Sequence, residues 1–387
     1  MPLRNRDMPL RADRPYSVAI VAGHAPSLVN FRGPLIAEMI GRGWRVLAIA
    51  PDIDAETGAQ LAALGAETAV TSLARTGMNP LRELGYCREL FGLFCKERPD
   101  VVLAYTIKPV IWGLLAARFA GVRRALGMIT GLGYAFTEGV GGGAKRVLAA
   151  GVASLLYRLA LRRADGVMFQ NTDDRDLFLK RGLLRDRGQI AVIDGSGVDL
   201  DYYSPTPLPD EPVFLMIGRL LGAKGVREYA AAATALRGRH PHARFMLAGW
   251  RDPGPDAITE AELEAWIEAG LEYLGRLYDV RSAISGARVY VLPSYREGTP
   301  RSVLEAMAMG RPIITTDAPG CRETVIEGVN GLLVEPQNAS ALERAMERLI
   351  ENPEMAAPMG RASLDLARRR YDVNRVNSQI LSIVQGV

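Results

Sequence analysis

The stretch SVAIVAG (17–23) is apolar at nearly every position, and a turn containing Pro26 and Ser27 follows it. A short, unbroken apolar run bounded in this way predicts a strand buried on both faces. FRGPLIAEMIGRG (31–43) then places apolar residues at helical spacing and closes on glycine, and WRVLAIAP (44–51) is a second apolar run. Strand, helix and strand in that order form a βαβ unit. The rhythm continues through DVVLAY (100–105), RALGMIT (124–130) and DGVMFQN (165–171). A second series runs through PVFLMIG (212–218), ARFMLAG (243–249), LEYLG (271–275), ARVYVLPS (287–294) and RPIITTD (311–317). Continuous rather than alternating apolar strands are what a parallel sheet covered by helices on both faces requires.

Between the two series lies IDGSGVDLDYYSPTPLPDEP (193–212), rich in Gly, Pro, Asp and Ser, which reads as an interdomain linker. The expected organisation is a basic tail over 1–15, a Rossmann-like domain over 16–195, a linker over 196–212, a second Rossmann-like domain over 213–370, and a C-terminal helix over 371–387 packing back on the first domain. The fold class is therefore α/β, with two parallel sheets facing an interdomain cleft. Ligands of such sheets bind outside the carboxyl ends of the strands. Functional residues are expected just after strands.

Composition narrows the function. A chain of 387 residues, 48% of them hydrophobic, can bury two cores, and its net charge of +4 is too small to argue for nucleic acid. No basic patch alternates with aromatics as single-strand binders need. Cys87, Cys95 and Cys321 show no Cys-x-x-Cys spacing and read as small buried hydrophobes in a reducing cytosol. Arg4, Arg6, Arg11 and Arg14 precede an apolar run shorter than a signal-peptide core, and no run reaches the roughly 20 residues of a membrane-spanning helix. A cytoplasmic protein is expected, soluble or resting on a membrane surface. AKRVLAAGVASLLYRLALRR (144–163) is apolar nearly all round at its middle, with Lys145, Arg146, Arg158, Arg162 and Arg163 towards its ends. It reads either as a buried Rossmann helix or as an interfacial helix held by anionic lipid. The preceding TEGVGGG (137–143) reads as a mobile acceptor loop.

The chemistry concentrates in YREGTPRSVLEAMAMGRP (295–312). Pro300 suits the first turn of a helix that closes on Gly310. The amino end of that helix offers unpaired N–H groups and partial positive charge to a phosphate. Glu297 lies in the loop before it; Glu305 lies about one turn inside, its Cβ tilted back towards the same end. Two carboxylates bracketing a phosphate site accept hydrogen bonds from hydroxyls. A diphosphate joining a ribose to a second sugar presents hydroxyls on both sides. IGRLLGAKG (217–225) supplies Arg219 and Lys224 just after the first strand of the second domain. Read alone they are two charges on a solvated loop; beside the glutamate pair they are cations for the diphosphate. No Asp-x-Asp pair stands ahead of a sugar site and no His and carboxylate ligands are clustered, so no metal or other cofactor is expected. GLGYAF (131–136) fails as a dinucleotide fingerprint because Phe136 replaces the third small residue and the stretch does not follow the first strand; GVGGGAK lacks the Lys-Ser or Lys-Thr ending of an NTPase loop.

GRLLGAKG followed by PSYREGTPRSVLEAMAMGRPII resembles the donor site of the family 4 retaining glycosyltransferases, whose GT-B fold pairs two Rossmann-like domains. The Glu-x7-Glu pair and the Arg-x4-Lys pair upstream are the specific parts. NFRGPLIAEMIGRGWRVLAIAPD, AYTIKPVIWG, MITGLGYAF and GSGVD extend the resemblance over nearly the whole chain. The first of these is similar to bacterial enzymes of capsule, O-antigen and N-glycan precursor assembly, which add a hexose or N-acetylhexosamine to a polyprenyl-diphosphate-linked saccharide. The resemblance implies that Glu305 binds the ribose hydroxyls of a nucleoside-diphosphate sugar, uridine-linked by family expectation. It implies that Glu297 contacts the transferred sugar and that Arg219 and Lys224 hold the diphosphate. The backbone of Gly298, Thr299, Pro300, Arg301 and Ser302 would complete the phosphate cradle, Tyr273, Leu274 and Gly275 would line the base pocket, and Gly23 would allow close approach from the first domain. Transfer would proceed with retention, the departing diphosphate taking the acceptor's proton, without a metal. Many relatives carry a histidine in the loop after the DVVLAY strand; here Thr106 and Lys108 are the residues available for its place. His24 either faces the cleft or is incidental, and His240 and His242 are expected on the surface. The rival readings are a sugar-nucleotide epimerase on the same fold and a non-catalytic sugar-nucleotide binder.

Overall fold

The computed structural model describes residues 14–74, 79–132, 144–184, 190–251, 254 and 256–386. The chain divides into two compact units, Met1–Ile193 with Asn377–Val387, and Asp194–Val376. In the first, strands β1 (Ser17–Val21), β2 (Arg45–Ala50), β3 (Glu67–Val70), β4 (Val101–Tyr105), β5 (Arg124–Ile129), β6 (Gly166–Phe169) and β7 (Ile190–Val192) form a sheet of order β3-β2-β1-β4-β5-β6-β7. In the second, β8 (Val213–Ile217), β9 (Arg244–Ala248), β10 (Glu272–Tyr273), β11 (Val289–Leu292), β12 (Ile313–Thr316) and β13 (Gly331–Val334) form a sheet of order β10-β9-β8-β11-β12-β13. Every pairing is parallel.

The apolar runs became the central strands because burial on both faces demands an unbroken run: β1 and β4 are buried at all five positions. Both edges of the first sheet escaped that reading. ETAV (β3) is mostly exposed and IAV (β7) is partly so, and an edge strand needs no continuous apolar pattern. Each unit has its own core. Phe169 and Tyr157 meet Phe178 edge-on, both at 5.3 Å, in the first; Phe214 stacks on Phe245 at 5.5 Å in the second.

Both sheets reverse strand order once. The chain leaves β1 towards β2 and β3, then returns to build outward from β4; it leaves β8 towards β9 and β10, then returns to build from β11. Loops leaving the carboxyl ends of β1 and β4, or of β8 and β11, diverge and leave a crevice, where open α/β sheets bind ligands.

The segment read as a linker is fastened to the second unit. Val198 pairs with Asp372 in a backbone bridge, and the buried Arg311 guanidinium donates to the Thr206 and Pro207 carbonyls at 2.7 and 3.1 Å. Its Pro and Gly residues set turns, but the residues that fasten it lie more than 100 positions away in sequence. The final helix, Val373–Gln385, begins in the second unit and passes into the first at Asn377. There Arg124 Nη2 donates to the Ile383 carbonyl at 2.9 Å.

Cys87 and Cys321 are buried as expected, whereas Cys95, on the outer face of the Pro80–Glu97 helix, is exposed. The Ala144–Leu161 helix buries Tyr157, Ala160 and Leu161 and exposes Val152, Leu155 and Leu159 beside Arg158, with Arg162 and Arg163 exposed just after it. Arg4, Arg6, Arg11, the 137–143 loop and the side chains of Lys145 and Arg146 lie outside the described residues. No helix among the described residues is long and apolar enough to cross a membrane.

Candidate active site

The crevice of the second unit is built from two loops. After β11, Pro293 and Ser294 lead into the Tyr295–Pro300 loop and the Arg301–Ala308 helix, whose N-cap is Pro300 itself rather than a residue of the first turn. No side-chain cap is present at this end, the condition under which a helix amino end can receive an anion. After β8, the chain makes a 3-10 turn, Gly222–Lys224, and enters the Val226–Arg239 helix through Gly225. Gly225 has φ +75°, and a Cβ there would overlap the Pro293 carbonyl, so glycine is what lets the two loops touch. Asp256 Oδ2 accepts the Ala223 N–H at 2.6 Å, and the Tyr295 N–H reaches the Ala223 carbonyl at 2.9 Å.

This closure sets the charges. Lys224 Nζ donates to Glu297 Oε1, an ion pair across the crevice. Ser294, fully buried, donates its hydroxyl to the same oxygen at 2.7 Å. Glu297 is held from behind as well, its N–H donating to the Pro319 carbonyl at 2.9 Å. Arg219 stands exposed two residues beyond β8. Glu305, one turn into the helix, is buried, and its Oε1 accepts from Tyr203 Oη and Arg301 Nε, both at 2.9 Å. Burial pushes the Glu305 pKa up, while the Arg301 charge and the Tyr203 hydroxyl pull against that rise. Oε2 has no hydrogen-bond partner among the described residues.

Two strands from β8, Tyr273 ends β10, and Leu274 and Gly275 follow it. Tyr273 Oη donates to the Gly249 carbonyl at 2.9 Å, and the Gly249 N–H donates to the Gly275 carbonyl at 2.8 Å, binding this end of β10 to the end of β9. Beside them the Arg276 guanidinium lies 5.3 Å from the Trp250 ring centre and 5.1 Å from that of Tyr278, both exposed. Sequence reading passed over this cation–π group. Its available signal was an aromatic residue directly after a strand. Tyr203 was missed for another reason, its place in a segment that looked like a linker.

The remaining sequence candidates belong to the first unit. Gly23 follows β1 and Thr106 follows β4, and a Cβ on Gly23 would come within 2.8 Å of Thr106 Oγ1. Lys108 is neither a solvated loop residue nor a group pointing freely into a crevice. Its Nζ donates to Glu83 Oε1 and to the Ala74 carbonyl, both at 2.6 Å. His240, partly buried, sits with Glu347 and Glu351 in an arrangement that could hold a metal. It follows the Val226–Arg239 helix and precedes β9, at the amino edge of the sheet, and Arg239 already pairs with Glu347 at 2.9 Å. His242 is exposed.

The glycosyl transferase 4-like domain matches residues 31–194, and the glycosyl transferases group 1 family matches residues 204–365. The chain is a glycosyltransferase. Over 93% of its length this glycosyltransferase is 29% identical to the N,N'-diacetylbacillosaminyl-diphospho-undecaprenol alpha-1,3-N-acetylgalactosaminyltransferase of Campylobacter jejuni, 96% of which is covered. Over 68% of its length it is 27% identical to the UDP-Gal:alpha-D-GlcNAc-diphosphoundecaprenol alpha-1,3-galactosyltransferase of Escherichia coli, 69% of which is covered. Among solved structures it matches the sucrose-phosphate synthase of Thermosynechococcus elongatus with a TM-score of 0.80 at 20% identity, over 96% of this chain and 98% of that one. It also matches Anabaena HepE in complex with UDP-glucose, with a TM-score of 0.74 at 20% identity over 96% and 100% of the two chains. At such identity the likeness is one of fold, and the glycosyltransferase has the GT-B fold expected from its motifs.

Proposed function

We propose that this glycosyltransferase moves a hexose or N-acetylhexosamine, with retention, from a uridine-diphosphate sugar to a polyprenyl-diphosphate-linked saccharide. The observation that carries the proposal is the placing of Lys224, Glu297 and Glu305 around one uncapped helix end at the switch point of the second sheet. The nucleotide lies along that edge, with the base near Tyr273, Leu274 and Gly275 and the ribose hydroxyls donating to Glu305. The diphosphate meets Arg219, Lys224 and the backbone of Gly298, Thr299, Pro300, Arg301 and Ser302. Each charge-assisted hydrogen bond of this kind is worth about 1.5–3 kcal/mol.

Glu297 accepts from hydroxyls of the transferred sugar while positive charge grows at the anomeric carbon. The acceptor oxygen bonds to that carbon on the face from which the diphosphate leaves. The broken bond's electron pair goes to the diphosphate, which takes the acceptor's proton. The two cations and the helix end stabilise the departing charge. The two relatives act on saccharides carried by diphospho-undecaprenol, which supports a lipid-linked acceptor and contact with an anionic membrane surface.

Release of nucleoside diphosphate, measured over a panel of sugar nucleotides with and without prenyl-diphosphate-linked saccharides, tests this reading. Turnover should require both substrates and survive EDTA. Conversion of the sugar nucleotide without an acceptor would make the protein an epimerase, and binding without turnover would make it a silent binder. Loss of activity in EDTA with recovery in Mg²⁺ would show that the protein cations do not suffice.

A further inference from the structure

The first sheet has its own switch point, between β1 and β4, and its groups differ in kind from those of the second. Thr106, at the end of β4, has φ +69°, a strained value for a β-branched residue, and its Oγ1 is buried without a hydrogen-bond partner. Such strain persists where the surroundings over-determine it and concentrates at ligand sites. Across from it, after β1 and next to Gly23, stands His24.

His24 is held in one orientation. Its Nδ1 lies 2.6 Å from Asp52 Oδ2, after β2, and the other carboxylate oxygen accepts the Ala25 N–H at 2.7 Å. Asp52 is thus fixed by backbone and accepts a hydrogen bond from Nδ1–H, which assigns the Nε2 lone pair of the neutral ring to accept. Nε2 has no partner among the described residues, and the side chain is 42% exposed. The His24 backbone is pinned too. Ser27 Oγ donates to the His24 carbonyl at 2.5 Å, and Tyr105 Oη, at the end of β4, supplies the proton on its 2.8 Å bond to Ser27 Oγ. The Arg32 guanidinium covers the Tyr105 ring at 5.1 Å.

An exposed ion pair by itself stabilises little and explains nothing. Here the carboxylate is locked by an amide and the ring by the carboxylate, and the exposed nitrogen belongs to the loop that leaves β1 at the switch point, beside the strained and buried Thr106. A fixed, exposed acceptor suits a sugar hydroxyl; the Asp52 charge beside the imidazole would repel a phosphate. We propose that His24 is an acceptor-binding residue, its Nε2 accepting a hydrogen bond from a hydroxyl of the acceptor saccharide, and that Asp52 is its positioning residue. This rests on the glycosyl-transfer reading above, in which the nucleotide groups are all furnished by the second unit.

Three variants test the assignment, using the short-chain prenyl-diphosphate saccharide that supports turnover by the unaltered enzyme. His24→Asn keeps an amide donor near the Nδ1 position and loses the Nε2 acceptor. His24→Gln returns an oxygen close to the Nε2 position. Asp52→Asn leaves the ring unfixed. His24→Asn should lower kcat/KM for the acceptor by 10-fold or more, chiefly through KM, with affinity for free nucleoside diphosphate and melting temperature unchanged; this magnitude corresponds to ~1.4 kcal/mol or more. His24→Gln should recover part of the loss, and Asp52→Asn should fall between the two. Unchanged acceptor constants in His24→Asn would overturn the proposal, as would an effect confined to the KM of the sugar nucleotide. Wild-type protein that binds no sugar nucleotide would overturn the underlying reading, and this assignment with it.

Discussion

Glu297 and Glu305 are eight positions apart in sequence, yet their surroundings separate their roles. Glu305 is buried with Tyr203 and Arg301 on one oxygen, an environment that exists whether or not a sugar is attached to the nucleotide. Glu297 shares its oxygen between Lys224 and Ser294 and so tempers the very cation proposed for the diphosphate. Glu305→Gln should therefore weaken binding of free nucleoside diphosphate about 10-fold, a loss of roughly 1.4 kcal/mol. Glu297→Gln should leave that binding unchanged or tighter, since Lys224 loses its counter-charge, while lowering kcat because its contact with the transferred sugar strengthens only at the transition state. Calorimetry with free nucleoside diphosphate compares the two variants. The opposite pattern would mean that the ribose and sugar assignments are exchanged. The spacing of these glutamates was legible in the sequence because both lie on one local segment. Tyr203 was not, since it reaches Glu305 across 102 positions.

Among the elements, the 3-10 turn Gly222–Lys224 and the loop before the Arg301–Ala308 helix act as one piece because Gly225 lets them touch. Alanine at 225 would face both the positive φ and the Pro293 carbonyl. Gly225→Ala is expected to destabilise the protein by about 1–3 kcal/mol and to weaken nucleoside diphosphate binding by moving Lys224. Denaturant unfolding and calorimetry measure the two effects. Full binding with normal stability would show that the turn has room the geometry does not allow it. The helix, with proline before it and Gly310 after it, was readable from local chemistry. That Pro300 is the cap, and that Lys224 points at Glu297, depended on how two loops 73 positions apart in their paired residues meet.

For the whole molecule, the exposed stripe Val152, Leu155 and Leu159, flanked by Arg158, Arg162 and Arg163, carries the proposed membrane contact. Apolar side chains entering the interface beside arginines favour anionic lipid, each basic group contributing about 1 kcal/mol. Co-sedimentation with vesicles should rise with the fraction of anionic lipid and fall with salt. Replacing Leu155 and Leu159 with aspartate should reduce it without altering nucleoside diphosphate affinity. Equal binding to neutral vesicles, or none to either kind, would remove the electrostatic part of the proposal.

Local sequence determined the central strands of the two parallel sheets, though not the edge strands β3 and β7, because a strand buried on both faces must be apolar throughout and an edge strand need not be. It also placed both glutamates and the helix end proposed to bind phosphate within a few turns of chain. Tertiary structure alone decided which groups face one another. Lys108 could have entered a crevice but is consumed by Glu83 and the Ala74 carbonyl. His24, a solitary histidine in the sequence, acquires a fixed tautomer from Asp52, 28 positions away. The physical reason is the same for both: a polar side chain's role depends on the partner that satisfies it, and in a parallel α/β unit that partner comes from another loop, as Asp52 does, or from the crossover helix, as Glu83 does, far from it in sequence.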